Sequence, residues 1–439
     1  MMEEQEKIPT SKVARASSVF RTSMRVGANY LKHNAQKMVH KEVNEDALNE
    51  KNASELFNLM SQLKGSALKI AQMLSMDNGL LPKGYAEKFA LAQNSVMALS
   101  SPLVMNTFMK YMNQSPYDLY DSFEIKANHA ASIGQVHLAY KNGNKLAVKL
   151  QYPGVADSIH ADIQMVKPLL LRIVGIKEIE VKQYFDEFEE RLIDECNYQL
   201  ELSNGVEIAA ATKHIPNLII PTYYPALSSS KVLTMEWIDA QPMQVFLDTE
   251  TNQANKDKIG QALLDFLHTS IHDLKKFHAD PHPGNFLVTK DMQLVVLDFG
   301  CVKSIPNDFY NYYFSLVRND VLADTDKLRI CLKGLDMLRD SDTAATDQLF
   351  METSLKAIQC LSKPMKSDTF YFGDLAYYEQ LQLQGEEFMN NKALRTPEAM
   401  RGSRHAIYLH RTFFGLYSIL HKLNATVRID RRFIENVGV

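Results

Sequence analysis

Apolar residues recur at helical spacing from Ala53 to about Ala90, at Leu56, Leu59, Met60, Leu63, Ala67, Ile70 and Leu74, and predict a long helical stretch. The uncharged run from Phe89 to Met109 carries Gln93, Asn94, Ser95, Ser100, Ser101, Pro102, Asn106 and Thr107, so it reads as two helices joined near Pro102 rather than a membrane span. Between 120 and 151 the pattern changes. Phe123–Ile125 leads into a strand ending at Tyr140, Lys141-Asn-Gly-Asn144 makes a tight turn, and Leu146–Leu150 is a further strand. From Val181 the apolar positions Tyr184, Phe188, Leu192 and Cys196 predict one acidic helix running on to Glu201. Val232–Met235 is an apolar strand ending in Glu236-Trp-Ile238-Asp239. From Lys256 the chain is helical again up to His278, then short apolar runs at Phe286–Val288 and Leu294–Leu297 flank the polar turn Thr289–Met292. After Gly300 it stays helical to near the end, with a polar excursion around 363–372.

These periods divide the chain into a basic, partly disordered or amphipathic segment (1–50), a helical extension (51–115), a strand-rich part (116–238) and a helical part (239–439). A length of 439 residues suits two or three domain-sized units, and 46% hydrophobic with 23% charged residues is ordinary for a globular protein. The net charge of -4 gives no case for nucleic acid. Cys196, Cys301, Cys331 and Cys360 form no C-x-x-C pair, which argues against a zinc site or disulfide framework and fits a reducing, cytoplasmic compartment. Residues 11–41 hold Lys12, Arg15, Arg21, Arg25, Lys32, Lys37 and Lys41 and no acid, interleaved with Val13, Val19, Phe20, Met24, Leu31 and Met38. Such a segment suits an anionic membrane surface, a solvated helix or a mobile tail equally well.

The chemistry is concentrated in residues 278–300. His278-Ala-Asp280 with Asn285 reads H-x-D-x-x-x-x-N, and Asp298-Phe-Gly300 ends an apolar run. Together they have the form of a phosphoryl-transfer site: Asn285 and Asp298 supply oxygens to Mg²⁺, and Asp280 orients or deprotonates the attacking hydroxyl. The predicted antiparallel pair brings Asn285 and Asp298 to one open end. Ala147-Val-Lys149 matches the strand whose lysine meets the α- and β-phosphates of ATP. Ahead of it, Ala130-Ala131-Ser132-Ile133-Gly134-Gln135-Val136 stands where a glycine-rich phosphate loop belongs, with Gly134 as its third glycine and His129 and Ala131 at the other two places. Glu236 and Ile238 lie where the adenine edge would meet backbone groups, and Trp237 is assigned to packing. Glu195 and Glu201, roughly 120° apart on a continuous helix, are placed to serve two different lysines.

These pieces resemble the UbiB-like (AarF/ADCK) atypical protein-kinase-like family, from about Leu63 to Val302. Carrying the likeness are Ala130–Val136, Ala147-Val-Lys149-Leu-Gln-Tyr-Pro-Gly154, Glu195-Cys-Asn197-Tyr and Phe277-His-Ala-Asp-Pro-His-Pro-Gly-Asn285. The resemblance implies an α+β, bilobal protein-kinase-like fold with a helical N-terminal extension covering the active site. It also implies ATP or ADP with Mg²⁺, and support of isoprenoid quinone or other lipid metabolism. Lys69-Ile-Ala-Gln72 stands at the family's K-x-G-Q and Glu195-Cys-Asn197 at its E-x-D, so Lys69 would pair with Glu195 and Lys149 with Glu201. Ala71 replaces the family glycine and Asn197 the aspartate. The expected activity is a kinase-like ATPase or a small-molecule or lipid kinase acting on a prenyl-quinone-like ligand. The alternatives are an aminoglycoside/choline-kinase-type phosphotransferase, a nucleotide-gated lipid-binding protein with little turnover, or a non-catalytic scaffold.

Overall fold

The structure is a computed structural model that describes residues 4–5, 12–38, 45–63, 67, 69–70, 85, 88–89, 98–130, 133–174, 178–390 and 401–436. Ala71, Gln72, Ala131 and Ser132 lie outside the described residues. The chain divides into two units, one of residues 1–202 and 223–237, the other of residues 203–222 and 238–439. Residues 203–222, expected with the strand-rich part, thus group with the helical one.

The first unit begins with helices α1 (Lys12–Met38) and α2 (Glu45–Leu63). They pack through Val26, Ala53, Leu56, Leu59 and Met60, and Asn29 Nδ2 donates to Asn52 Oδ1 at 2.8 Å. α3 (Ser101–Met112) starts straight after Ser100, with Pro102 in its first turn, where a missing N–H costs nothing. The sheet follows: β1 (Ser122–Phe123), β2 (His129–Ala130), β3 (Gly134–Lys141), β4 (Asn144–Gln151) and β5 (Val232–Glu236). Its order is β1-β3-β4-β5, with β2 also pairing β3, all antiparallel. Asn142 and Gly143 both take positive φ, 51° and 78°, the geometry of a tight turn matched to strand twist.

Strand alternation gives this sheet two different faces. Gln135, His137, Val148, Leu150 and Thr234 share one, and it is closed by Phe108 of α3 with Tyr120 and Phe123; the Tyr120 and Thr234 hydroxyls meet at 2.7 Å. Val136, Ala147 and Lys149 share the other, where Val136 and Ala147 stay half-buried.

Two helices lead from the sheet, α4 (Val155–Val174) and α5 (Glu178–Glu195). The predicted helix through Glu201 is in fact interrupted: α5 stops at Glu195 and a new helix, α6, runs from Tyr198 to Ala211. Asn197 causes the break. Its Oδ1 accepts the Leu200 N–H at 3.2 Å, an N-cap bond that rewards leaving the helical conformation at that residue.

The second unit holds a sheet of β6 (Ala240–Pro242), β8 (Phe286–Thr289) and β9 (Leu294–Val296), extended by the short strand Leu218–Ile219. A separate pair joins β7 (Lys276–His278) to β10 (Val302–Ser304). Helix α7 (Gln253–His268) buries Ile259, Leu263, Phe266 and Leu267 and passes through a single π-type turn, Thr269–Asp273, into β7. Of the later helices, α8 (Asn307–Ser315) follows β10 directly, and α9 (Arg404–Lys422) includes the apolar run Thr412–Leu420. That run is a buried helix face, with Leu416, Ile419 and Leu420 almost fully covered. Among the described residues no helix is long and apolar enough to cross a membrane.

Candidate active site

In the first unit Lys149 and Glu201 form a two-pronged pair. Lys149 Nζ lies 3.0 and 2.9 Å from the two carboxylate oxygens, and the side chains are 10% and 1% exposed. A buried lysine or glutamate alone is costly to desolvate, so each fixes the other. The local fold sets up the meeting: Lys149 sits on the half-open face of β4, and Glu201 lies in the first turn of α6, where the helix dipole favours a carboxylate. The Tyr198 ring lies 5.2 Å from the ammonium. Gly134 is needed here for closeness. A Cβ on it would stand 2.7 Å from Leu150 O and 2.8 Å from Tyr198 Oη.

A second ion pair sits at the end of α5. Lys69 Nζ is 2.8 Å from Glu195 Oε1, with side chains 14% and 11% exposed. Glu195 and Glu201 therefore flank the α5–α6 corner, each turned to its own lysine, with Asn197 between them as a cap. Aspartate and asparagine cap helices about equally well, so Asn197 keeps this structural task while giving up a charge.

In the second unit the loop after β7 is organised by His278, which is buried. Its Nε2–H donates to Asp298 O at 2.7 Å, and its Nδ1 accepts the Asp280 N–H at 3.2 Å. A carbonyl can only accept and an amide N–H can only donate, so the ring is the neutral Nε2–H tautomer and ties the two aspartates' backbones together. Asn285 Nδ2 donates to Asp280 O at 2.9 Å and to its Oδ2 at 3.2 Å, which leaves the amide oxygen to offer a cation. Leu297 N–H donates to Asn285 O at 2.9 Å, so Asn285 and Asp298 share the open end of β8 and β9 as the pattern predicted. Asp298 has φ +61°, a conformation that costs a non-glycine residue about 1 kcal/mol. Its Oδ1 receives the Gly300 N–H at 3.3 Å, and the Phe299 carbonyl is held by Asn204 Nδ2 at 3.1 Å.

Asp280, Asn285 and Asp298 are all half-exposed. Among the described residues no three His, Cys, Asp or Glu gather into a metal cluster. Mg²⁺ takes one or two protein oxygens and completes its octahedron with phosphate and water. The Asn285 amide oxygen and the Asp298 carboxylate fit that need.

A sequence profile described as the ABC1 atypical kinase-like domain matches residues 91–331, more than half of the chain. The chain belongs to this family. It is 26% identical to the rat atypical kinase COQ8B, mitochondrial, over 96% of this chain and 80% of that one. It is 25% identical to the Saccharomyces cerevisiae atypical kinase COQ8, mitochondrial, over 88% of this chain and 76% of that one. Against the zebrafish COQ8B it spans 61% of the relative's length. Among solved structures, the Mycobacterium tuberculosis protein Rv3197 in complex with erythromycin superposes with a TM-score of 0.60 at 25% identity, covering 89% of this chain and 96% of that one. The UbiB-like resemblance and the kinase-like fold are thereby established, and the family is one of kinase- or ATPase-type enzymes.

Within this ABC1 framework the phosphate-loop residues have unequal parts. Ile133 is 2% exposed and Gln135 fully buried. The Gln135 side chain does not reach out as a loop contact: Oε1 accepts the Leu99 N–H at 2.6 Å and Nε2–H donates to His137 Nε2 at 2.8 Å. His137 in turn donates from Nδ1 to Glu124 O at 2.9 Å, and burial pulls its pKa down to about 4. Ala130 pairs with Gln135 across β2 and β3, while Val136 stays half-buried beside Lys149. Glu236 and Ile238 are half-buried at the end of β5. Trp237 packs on the His129 ring at 6.1 Å, with the Lys145 ammonium 5.3 Å away.

Sequence reasoning gave no role to His278, although it stands inside the motif, nor to the helix behind it. The Thr412 hydroxyl of α9 shares its proton between Tyr408 O at 3.0 Å and His278 O at 3.3 Å, and a Cβ at Gly415 would stand 2.5 Å from Pro281. α9 thus lies close behind the loop that follows β7, too close at Gly415 for a side chain.

Proposed function

We propose that this protein is an ATP- and Mg²⁺-dependent kinase-like ATPase, or a kinase of a small molecule or lipid, serving isoprenoid quinone or other lipid metabolism. The observation that carries the reading is the His278 bridge. One neutral imidazole holds the backbones of the candidate base Asp280 and the candidate metal ligand Asp298 in a single arrangement. Lys149, steadied by Glu201, binds and orients the α- and β-phosphates. Asn285 and Asp298 would hold Mg²⁺, which would supply positive charge against the phosphates. Asp280 accepts the proton of the attacking hydroxyl or water, and its carboxylate is kept in place by the Asn285 amide.

One feature favours a small acceptor over a protein. The chain leaves Gly300 and reaches α8 through residues 301–306 alone, of which Val302–Ser304 pair with β7, so no long activation segment follows the metal ligand. The Lys69–Glu195 pair ties residues of the helical extension to the α5–α6 corner, which favours the ABC1 reading over an aminoglycoside/choline-kinase type.

For a lipid acceptor the helix α1 is suggestive. Phe20, Met24 and Leu31 are 67%, 61% and 73% exposed, and they fall within about 40° of one another on the helix. Exposed Arg21, Arg25 and Lys32 run beside them, while Thr22, Val26 and His33 are buried. An apolar stripe edged with cations is the form that lies on an anionic membrane surface. The test is Mg²⁺-dependent ATP hydrolysis with and without anionic vesicles carrying a prenyl-quinone-like phenol. Turnover that rises with vesicles, and falls back when residues 1–45 are deleted, supports the reading. Hydrolysis absent under every condition sinks it.

A further inference from the structure

The α5–α6 corner is held by a clamp that neither the motifs nor the ion pairs account for. α5 ends with no basic residue in its last turn, so its terminal carbonyls lack the usual compensation from a nearby cation. That compensation comes from the sheet. Gln151 Nε2–H donates to Cys196 O at 2.9 Å, and Lys231 Nζ lies 3.5 Å from the same oxygen. Lys231 also donates to Gln151 Oε1, and the Gln151 N–H donates to Lys231 O at 3.0 Å. The triangle fixes the amide's orientation, because turning it over would set two carbonyl oxygens together. Gln151 is 2% exposed and Cys196 5%.

The position of the clamp gives it consequence. Gln151 stands two residues after Lys149 on β4, so both side chains leave the same face. Lys149 reaches Glu201 in the first turn of α6 while Gln151 reaches the carbonyl just before that helix begins. Glu195, one residue ahead of the clamped carbonyl, meets Lys69. We propose that Gln151 and Lys231 are positioning residues for the nucleotide site: they pin the corner from which Glu195 and Glu201 meet their lysines. This inference rests on the nucleotide reading above. The two residues touch no phosphate; they set where Glu201 stands and so how Lys149 is presented.

The test is calorimetric titration of the full chain with ADP in the absence of Mg²⁺. Gln151→Leu weakens ADP binding about tenfold, the worth of one charge-assisted contact placed wrongly. Lys231→Met, at a half-exposed site, acts in the same direction and serves if Gln151→Leu fails to fold. Lys231→Arg keeps a cation at the carbonyl and binds within about twofold of the unaltered protein. In a Glu201→Gln background Gln151→Leu adds little further, because both changes act through the same glutamate. A Gln151→Leu or Lys231→Met protein that melts lower yet binds ADP as before overturns the clamp and leaves only a structural role. Effects that multiply fully with Glu201→Gln overturn it as well. If the unaltered protein binds no ADP, the nucleotide reading itself fails, and the clamp with it.

Discussion

The two halves of the machinery are held by opposite means. In the first unit, Lys149–Glu201 and Lys69–Glu195 are ion pairs with little exposure, complete in themselves. In the second, the His278 ring ties the backbones of Asp280 and Asp298, the Asn285 amide holds the Asp280 carbonyl and carboxylate, and all three residues stay half-exposed. The difference follows from the job. A lysine that meets phosphate needs its position fixed beforehand, and a partner carboxylate does that. On the proposed reading the ligands of a hard cation need an oxygen they can turn to the metal, so here it is chiefly the backbone behind them that is fastened. The strained φ of Asp298 belongs with the second strategy: the cost is borne by the surrounding bonds, which fix the backbone that carries the carboxylate.

The largest expected effect breaks the second half alone. Asp280→Asn lowers the turnover number about 10³-fold while ADP binding stays intact, as expected for a base that acts only in the chemical step. Next comes the first half. Lys149→Met leaves Glu201 buried without its cation and costs about 3 kcal/mol of stability, read from urea unfolding. The Lys149→Met/Glu201→Met double variant recovers most of that loss and still fails to turn over. A single variant as stable as wild type would show that the pair is not the constraint described here.

A third prediction concerns acid. Burial pulls the pKa of His137 in the first unit and His268 in the second down to about 4. The unfolded chain takes up these protons first as pH falls, so the stability they contribute is complete above about pH 6.5 and drains away towards pH 4. Each histidine should cost about 2 kcal/mol between pH 7 and pH 5. For His137 the reason is visible: a second ring proton would face the Gln135 amide, which already donates to it. His137→Gln should flatten the loss measured by urea midpoints at the two pH values. The smallest effect is Asn197→Asp. It keeps the cap and adds a charge at a helix N-terminus, for a gain of about 0.5 kcal/mol. Any change in Mg²⁺ dependence beyond that would give the missing family carboxylate a role in metal binding.

Much of this was legible in the chain. The hairpin turn at Asn142-Gly143, the β8–β9 pair and the meeting of Asn285 with Asp298 follow from turn chemistry and alternation alone. The corner at Asn197 was hidden because the apolar period through Tyr184, Phe188, Leu192 and Cys196 continues up to the break, and period outweighed the cap. The place of the Gln135 side chain was hidden because the phosphate-loop template records positions rather than faces; strand alternation sends it into the core with His137. Thr412 and Gly415 meet the catalytic loop across more than a hundred residues, a contact no local pattern records.

The contrast between a preformed half and a half completed by metal is tested most directly by titrating ADP, with and without Mg²⁺, into the unaltered protein and Asp298→Asn. The account predicts that both bind metal-free ADP alike, and that Mg²⁺ tightens binding about tenfold or more only in the unaltered protein. Equal tightening in both proteins, or no binding to the unaltered one, would contradict it.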